Sequence, residues 1–113
     1  MAKAEYVVTG NFFGILKKIE NDVVEGSISA SLEEKSDYWY DSAKCSVRVF
    51  ERYSYSGGNR VSLTVTLFQP EGDKIYISAI TTGGSQAMFF KLNTFGEEAF
   101  LDKFRQIIDS VKE

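Results

Sequence analysis

The chain has 113 residues, of which 43% are hydrophobic and 26% are charged, and its formal net charge is −3. This length suits one domain, and a domain of this size buries enough surface to fold without a metal or a disulfide. The composition argues against disorder, and the acidic balance argues against a general nucleic-acid binder, which needs a basic surface.

The cysteine and histidine contents narrow the possible chemistry. Cys45 is the single cysteine, and the chain has no histidine. The lack of histidine removes the commonest general base, the usual serine and cysteine triads and most zinc sites. We therefore expect no metal and no cofactor. A lone cysteine fits a reducing compartment, and residues 1–5 lack the apolar core of a signal peptide, so we expect a cytoplasmic protein without a membrane span.

The first part of the chain predicts a strand and then a helix. Glu5–Thr9 is β-branched and aromatic, which is typical of a strand. Asn11 can cap a helix N-terminus, and Gly26 can end that helix in a left-handed conformation. Between them the apolar residues recur at helical spacing: Phe12, Ile15, Leu16, Ile19 and Val23.

The segment after this helix predicts a strand and then a loop. Ser27–Glu33 alternates strictly, with Ile28, Ala30 and Leu32 on its apolar side. Residues 35–43 are expected to form a loop that carries three successive aromatics as tucked side chains or contact anchors: Tyr38, Trp39 and Tyr40.

A meander of strands is predicted over residues 44–92. Loops of odd length place Val49 opposite Leu67 and Leu67 beside Ile75, and a turn at Gly83-Gly84 pairs Ala79 with Met88. This register predicts one core face with these side chains: Cys45, Val47, Val49, Leu63, Val65, Leu67, Ile75, Ile77, Met88, Phe90 and Leu92.

The last element is predicted to be a helix across that core face. Thr94 and Glu97 match a capping box. An apolar stripe follows: Phe100, Leu101, Phe104, Ile107, Ile108 and Val111. The expected fold is a single α+β domain, residues 1–113, with a curved antiparallel sheet of five to six strands and two helices in the order β-α-β-β-β-β-β-α. That order resembles the class of TATA-binding-protein repeats and helix-grip proteins.

The predicted second face of the sheet is not polar. It carries Arg48, Phe50, Arg52, Phe68, Tyr76, Ile80 and Phe89. A solvated sheet face should be polar, so a cover is expected: the first helix, another subunit or a ligand. Arginine stacks on aromatic rings, so these residues are candidates for an interface patch in a two-fold dimer or for a platform that binds a small anionic or aromatic ligand.

The expected environments of Cys45 and Glu51 bear on possible catalysis. Cys45, on the predicted core face, is expected to be a small buried hydrophobe and not a reactive thiol. Glu51 shares strand parity with Val49, so it lies either at the end of the sheet, beside Lys17 or Lys18, or as a carboxylate inside a cavity.

Four stretches carry a resemblance to a known family: residues 49–55, 57–62, 83–90 and 94–98. They resemble a family of short bacterial proteins known only as a domain of unknown function. The resemblance implies a bacterial cytoplasmic origin and assigns no catalytic or binding residue.

Three functions remain open on these grounds. The first is a non-enzymatic binding or interaction domain that self-associates through the aromatic and arginine face. The second is a small-ligand-binding protein with a pocket between the sheet and the C-terminal helix. The third is an enzyme that uses Glu51 with tyrosine or arginine.

Overall fold

A computed structural model describes residues 1–53, 60–83 and 90–111, and for residues 90–96 it describes the backbone only. The elements are β1 (Ala2–Thr9), α1 (Phe12–Glu25), β2 (Ser31–Tyr40), β3 (Ala43–Tyr53), β4 (Arg60–Gln69), β5 (Lys74–Gly83) and α2 (Phe90–Val111). The five strands form one antiparallel sheet in the order β1-β5-β4-β3-β2. The predicted α+β class, with an antiparallel sheet and two helices, is confirmed.

Both helices pack on the same face of the sheet. α1 contacts β2 and β3, α2 contacts β1, β4 and β5, and the two helices contact each other. The expectation that the first helix covers a second face of the sheet is therefore wrong. The protein has two layers, one of helices and one of strands, and its core lies between them.

Helix α1 begins and buries its side chains as its sequence predicts. The backbone N–H of Gly14 donates to the side-chain oxygen of Asn11 at 2.7 Å, which is the expected cap. All five apolar residues of the predicted stripe are buried. The left-handed end predicted at Gly26 is wrong, because Gly26 has a φ of −77° and donates its N–H to the carbonyl of Asp22 as a further helical turn does.

Strand β2 lies later in the chain than the alternation predicts. Ile28, expected to point inward, is fully exposed, and β2 spans Ser31–Tyr40 instead of ending before a loop at residue 35. Tyr40 pairs with Ala43 across a two-residue turn in which Asp41 has a φ of 52°. Aspartate tolerates this left-handed conformation better than most residues, so the predicted loop 35–43 shortens to a tight turn.

The predicted register between β3 and β4 is wrong. Val49 lies opposite Thr64 and not Leu67, while Phe50 lies opposite Leu63 and Arg48 opposite Val65. A slip of one residue moves every side chain of a strand to the other face. Arg48, Phe50 and Arg52 therefore point toward the helices. The alternate apolar residues of β3, which are Cys45, Val47 and Val49, point away from the helices.

The β4–β5 pairing keeps its predicted faces with a shift of two residues, since Leu67 pairs with Ile77 and not with Ile75. The predicted last strand is not seen in the described residues: Met88 lies outside them, and residues 90–92 belong to α2. Thr94 consequently lies inside α2 and does not cap it. Its predicted partner Glu97 accepts the backbone N–H of Gly83 at 2.7 Å, which ties α2 to the end of β5.

The apolar stripe of α2 packs on the sheet as predicted. Phe100, Leu101, Phe104 and Ile108 are buried, and Ile107 and Val111 pack beside them. They meet the inward residues of the two central strands, all with almost no exposed surface: Val61, Leu63, Val65, Leu67, Ile75, Ile77 and Ala79.

Two phenylalanines on neighbouring strands test the observed register. Phe50 is 0% exposed and Phe68 is 42% exposed. Replacing Phe50 with alanine should lower the free energy of unfolding by about 3–5 kcal/mol, because a cavity opens in the core. Replacing Phe68 with alanine should cost about 1 kcal/mol at low protein concentration, because its ring is half in water. Urea denaturation measures both values. Equal losses would contradict the register.

Candidate functional site: the open face of the sheet

The sheet face opposite the helices is the candidate site, and we call it the open face. The alternation of side chains along each strand places these residues on it: Lys3, Glu5, Val7, Thr9, Ser31, Glu34, Ser36, Tyr38, Tyr40, Ala43, Cys45, Val47, Val49, Glu51, Tyr53, Arg60, Ser62, Thr64, Thr66, Phe68, Lys74, Tyr76, Ser78, Ile80 and Thr82. Neither helix packs on this face. It is nevertheless rich in apolar and aromatic side chains, whereas a solvated face normally carries polar ones.

One row of five residues crosses the whole open face, and we call it the aromatic row. The strand register aligns, in sheet order, Tyr38, Cys45, Phe68, Tyr76 and Val7. Tyr38 is 71% exposed, Tyr76 is 45% exposed and Val7 is 54% exposed. The rings of Phe68 and Tyr76 lie 6.5 Å apart between centroids, within the range of an aromatic pair.

Two depressions open on either side of Phe68. One, of about 420 Å³, is lined by Val7, Thr66, Phe68 and Tyr76, with Glu5 at its border. The other, of about 290 Å³, lies over Cys45 between Phe68 and the tyrosines of β2. The small side chain of Cys45 creates this second depression, because its neighbours in the row are rings. The aromatic row thus contains three rings and two smaller side chains, with a recess over Cys45.

The aromatic row itself carries no charge, but Glu5 and Lys74 lie one row away from it, on opposite sides. Lys3 approaches Glu5 at 3.9 Å on β1, at one edge of the sheet. Glu34 is exposed on β2, at the opposite edge. At the far end of the central strands Arg60 pairs with Glu51 at 2.7 Å and lies over the ring of Tyr53. The charged residues of the open face therefore surround the aromatic row and do not interrupt it.

The structure divides the residues predicted for the site between the two faces. Phe68, Tyr76 and Ile80 lie on the open face. Arg48, Phe50 and Arg52 lie on the helix-covered face, so the single aromatic and arginine platform is a wrong prediction. Phe89 lies outside the described residues.

Arg48 is held in a buried cluster of charges between α1, β2 and β3. Its side chain is 5% exposed, and its guanidinium donates to Glu20 at 2.5 Å and to Asp37 at 2.9 Å. Burial opposes the charged form of Arg48, but the hydrogen bonds and charges of the two carboxylates outweigh it and raise the pKa of the guanidinium. Burial likewise tends to raise the pKa of Asp37, but hydrogen bonds from Ser46 and Arg48 lower it overall.

Arg52 is buried on the same side of the sheet. It donates to the side chain of Ser27 at 2.7 Å, and its guanidinium lies 4.6 Å from the ring centre of Phe100 on α2. A cation over a ring is stabilised by the ring quadrupole. Both buried arginines are thus structural residues that fasten α1, α2 and the turn after α1 to β3.

The three aromatics predicted as loop anchors point in two directions. Trp39 lies on the helix-covered side and stacks on Phe13 of α1 at 6.3 Å with an angle of 26°. Tyr38 and Tyr40 point to the open face, where Tyr40 is 80% exposed. Trp39 is 58% exposed although it stacks on α1, and the role of Tyr38 and Tyr40 as contact anchors stays a prediction.

The sequence-based search missed the contributions of β1, β2 and Cys45 to the open face. The sequence predicts a short strand at Val7 without indicating which face its side chain joins, and it predicts a loop at Tyr38 and Tyr40. The signal that could have found the tyrosines is the spacing of Ser36, Tyr38 and Tyr40, which alternates as a strand requires. Cys45 is half-buried and not a core residue, because the register of β3 differs from the predicted one.

The other candidate chemistries have less support. Glu51 lies on the open face, where its side chain is 32% exposed and pairs with Arg60 at 2.7 Å, as expected of a surface ion pair. Among the residues that the structure describes, no cluster of three or more potential ligands could hold a metal ion. No helix in the same ranges is long and apolar enough to cross a membrane.

Comparisons with known proteins identify a family and nothing more. A family model described as a family of unknown function, DUF6054, matches residues 1–112. No curated protein and no solved structure matches the chain. The predicted resemblance in element order to TATA-binding-protein-like and helix-grip proteins therefore stays a prediction.

Two arginines, each paired with two carboxylates, test the role of the buried cluster. Replacing Arg48 with alanine should lower the free energy of unfolding by about 3–5 kcal/mol, because Glu20 and Asp37 lose their buried partner. Replacing Arg60, whose side chain is 49% exposed, should cost less than about 1 kcal/mol. Chemical denaturation measures both, and a small loss at Arg48 would contradict the structural role.

The lowered pKa of Asp37 predicts a specific pH dependence. A carboxylate with a lowered pKa in the folded state stabilises the protein above its unfolded pKa of about 3.9, and the stabilisation is lost as the pH falls through the folded pKa. Asp37→Asn should therefore cost about 1–3 kcal/mol at pH 7. The difference from the native chain should shrink as the pH falls below about 4. Urea denaturation across this range checks it, and a pH-independent difference would refute the assignment.

Proposed function

Because the chain belongs to this family of unknown function, which brings no activity to it, we propose from its surface that the protein is a non-enzymatic interaction domain. It self-associates through the open face and forms a two-fold dimer. The observation that carries the proposal is the aromatic row, which spans all five strands and stays largely exposed in the single chain. Exposed apolar patches of this extent mark interaction sites.

The size of the open face supports a protein partner. Five strands spaced by about 4.8 Å, with about nine residues each at 3.3 Å, make a surface of roughly 24 by 30 Å, or about 700 Å². A stable interface of standard size buries about 600–1,000 Å² on each partner. The face therefore has the area that a dimer needs.

The β2 edge of the sheet is less suitable for association than the open face. The outer strand β2 carries a bulge between Leu32 and Glu34 and the charged residues Glu33, Lys35 and Asp37. Bulges and charges at an edge oppose pairing with another strand. An interface built on the open face also closes after two copies, since a two-fold contact uses the same surface on both.

A small ligand on the open face is the second candidate. The depression beside Phe68 and Tyr76, of about 420 Å³, is large enough for a small aromatic molecule. Glu5 at its border disfavours an anion there. The alternative pocket between the sheet and α2 has less support, because Leu63, Val65 and Phe104 fill that space with 0% exposure.

The proposal includes that the protein is bacterial and cytoplasmic. The family resemblance supports the bacterial origin. The single cysteine, Cys45, half-buried and not in a disulfide, fits a reducing compartment.

Light scattering and sedimentation across a concentration series test the proposed dimer. The native chain should have the mass of a dimer at high concentration, and Phe68→Asp should be monomeric because it places a charge in the apolar interface. Ile28→Asp is the control: Ile28 is equally apolar and fully exposed, but it lies in the turn before β2, away from the open face. This variant should dimerise as the native chain does. A native chain that is monomeric at every accessible concentration would refute the proposal.

A further inference from the structure

We infer that the two copies meet face to face about a two-fold axis that runs along the central strand β4. The inference rests on the proposed function and adds to it the orientation and the residue pairs. β4 is the third of the five strands in sheet order. A two-fold axis along β4 keeps each residue at its height along the strands and exchanges the two sides of the sheet. It therefore places β3 over β5 of the second copy and β2 over β1.

In the aromatic row this axis places large side chains against small ones. Cys45 faces Tyr76 of the second copy, so the tyrosine ring enters the depression over the cysteine. Tyr38 faces Val7, and Phe68 faces its own copy. Each of the two smaller side chains of the row therefore faces a ring of the other copy, which favours close packing between the sheets.

Two rows further along the strands, the same axis places opposite charges against each other and apolar side chains against each other. The register aligns Glu34, Val49, Thr64, Ile80 and Lys3 in one row. Glu34 of one copy then faces Lys3 of the other, which gives two symmetric ion pairs. Val49 faces Ile80. Packed sheets cross at about 30°, which displaces the outer strands by about 5 Å, and lysine and glutamate side chains are long enough to span that offset.

The residues on the axis are suited to meeting their own copies. From its third residue onward, the open-face side chains of β4 are Ser62, Thr64, Thr66 and Phe68; Arg60, at the start of β4, also lies on this face and is paired with Glu51 of its own chain. A hydroxyl both donates and accepts, so it can bond to an identical hydroxyl, and a ring can pack on an identical ring. A charged residue at these positions would face its own charge. Although charged residues occur on the other four strands of this face, none lies on β4 between Ser62 and Phe68.

An in-plane axis perpendicular to the strands fits the same surface poorly. It would turn the aromatic row over the row that contains Glu51, Ser62 and Thr82. Cys45 would then face Glu51, and Phe68 would face Ser62. Apolar groups would meet polar ones, and the ion pair of Glu51 with Arg60 would lose water without a new partner.

Charge reversal with rescue tests the proposed axis. Lys3 and Glu34 lie at opposite edges of one sheet, about 19 Å apart, which is beyond the screening length of about 8 Å at physiological salt. They cannot interact within one chain, so any coupling between them must arise between copies. Lys3→Glu and Glu34→Lys should each raise the dimer Kd about tenfold, because symmetry applies each change twice. The double variant should return to within about threefold of the native Kd.

The control is Lys103→Glu, which reverses an exposed lysine on α2 and should leave the Kd unchanged. Sedimentation equilibrium gives the Kd values, and circular dichroism confirms that each variant is folded. If the native chain dimerises, Phe68→Asp abolishes the dimer and the double variant is no better than the single ones, the axis is overturned while self-association stands. A native chain without a dimer overturns both.

A photo-crosslinker provides an independent measurement. With p-benzoylphenylalanine in place of Tyr76 and a mixture of ¹⁴N- and ¹⁵N-labelled chains, crosslinks between differently labelled chains come only from contacts between copies. We expect such adducts around Cys45 on β3. The axis perpendicular to the strands would place Tyr76 over Thr82 of the second copy, so adducts concentrated around Thr82 would overturn the axis along β4.

Discussion

The burial of Arg48 between Glu20 and Asp37 determines which way β3 faces, and the rest of the surface depends on it. Side chains alternate along a strand, so turning Arg48 toward the helices turns Val47 and Val49 away from them. The opposite register would leave both carboxylates without their cation. A buried ion pair adds little net stability compared with a hydrophobic replacement, but breaking one is costly. The cluster therefore fixes the register of β3. The outward side chains of β3 are largely apolar because Arg48 is buried on the opposite face.

Because both helices lie on one face, the stability of the fold and the chemistry of the open face are separate. The core joins the helix stripes to the inward residues of β4 and β5, which have almost no exposed surface. The outward residues of the same strands contribute little to that core. The open face can therefore carry exposed rings without weakening the single chain, and it can dock a partner without rearrangement of the helices.

The elements with a strong periodic signal were predictable from the sequence. The stripe and cap of α1, the stripe of α2 and the faces of β4 and β5 follow from spacing alone. The faces of β3 were not predictable, because arginine side chains are normally expected to face solvent. The partner that allows Arg48 to be buried, Glu20, lies 28 residues away in the sequence. β2 was not predictable either, because Asp37 and Ser36 disfavour a strand locally while pairing with β3 overrides them. The residues that β2 and β3 contribute to the open face could therefore not be predicted from the sequence.

The stacking of Trp39 on Phe13 gives the molecule a built-in optical probe. Trp39 is the only tryptophan, and it sits on the outermost strand of the described sheet, where local opening needs less free energy than opening of the central strands. Detachment of this strand would separate the indole from α1 while the central side chains stay packed. Its fluorescence therefore reports fraying at the rim of the sheet, an event distinct from global unfolding.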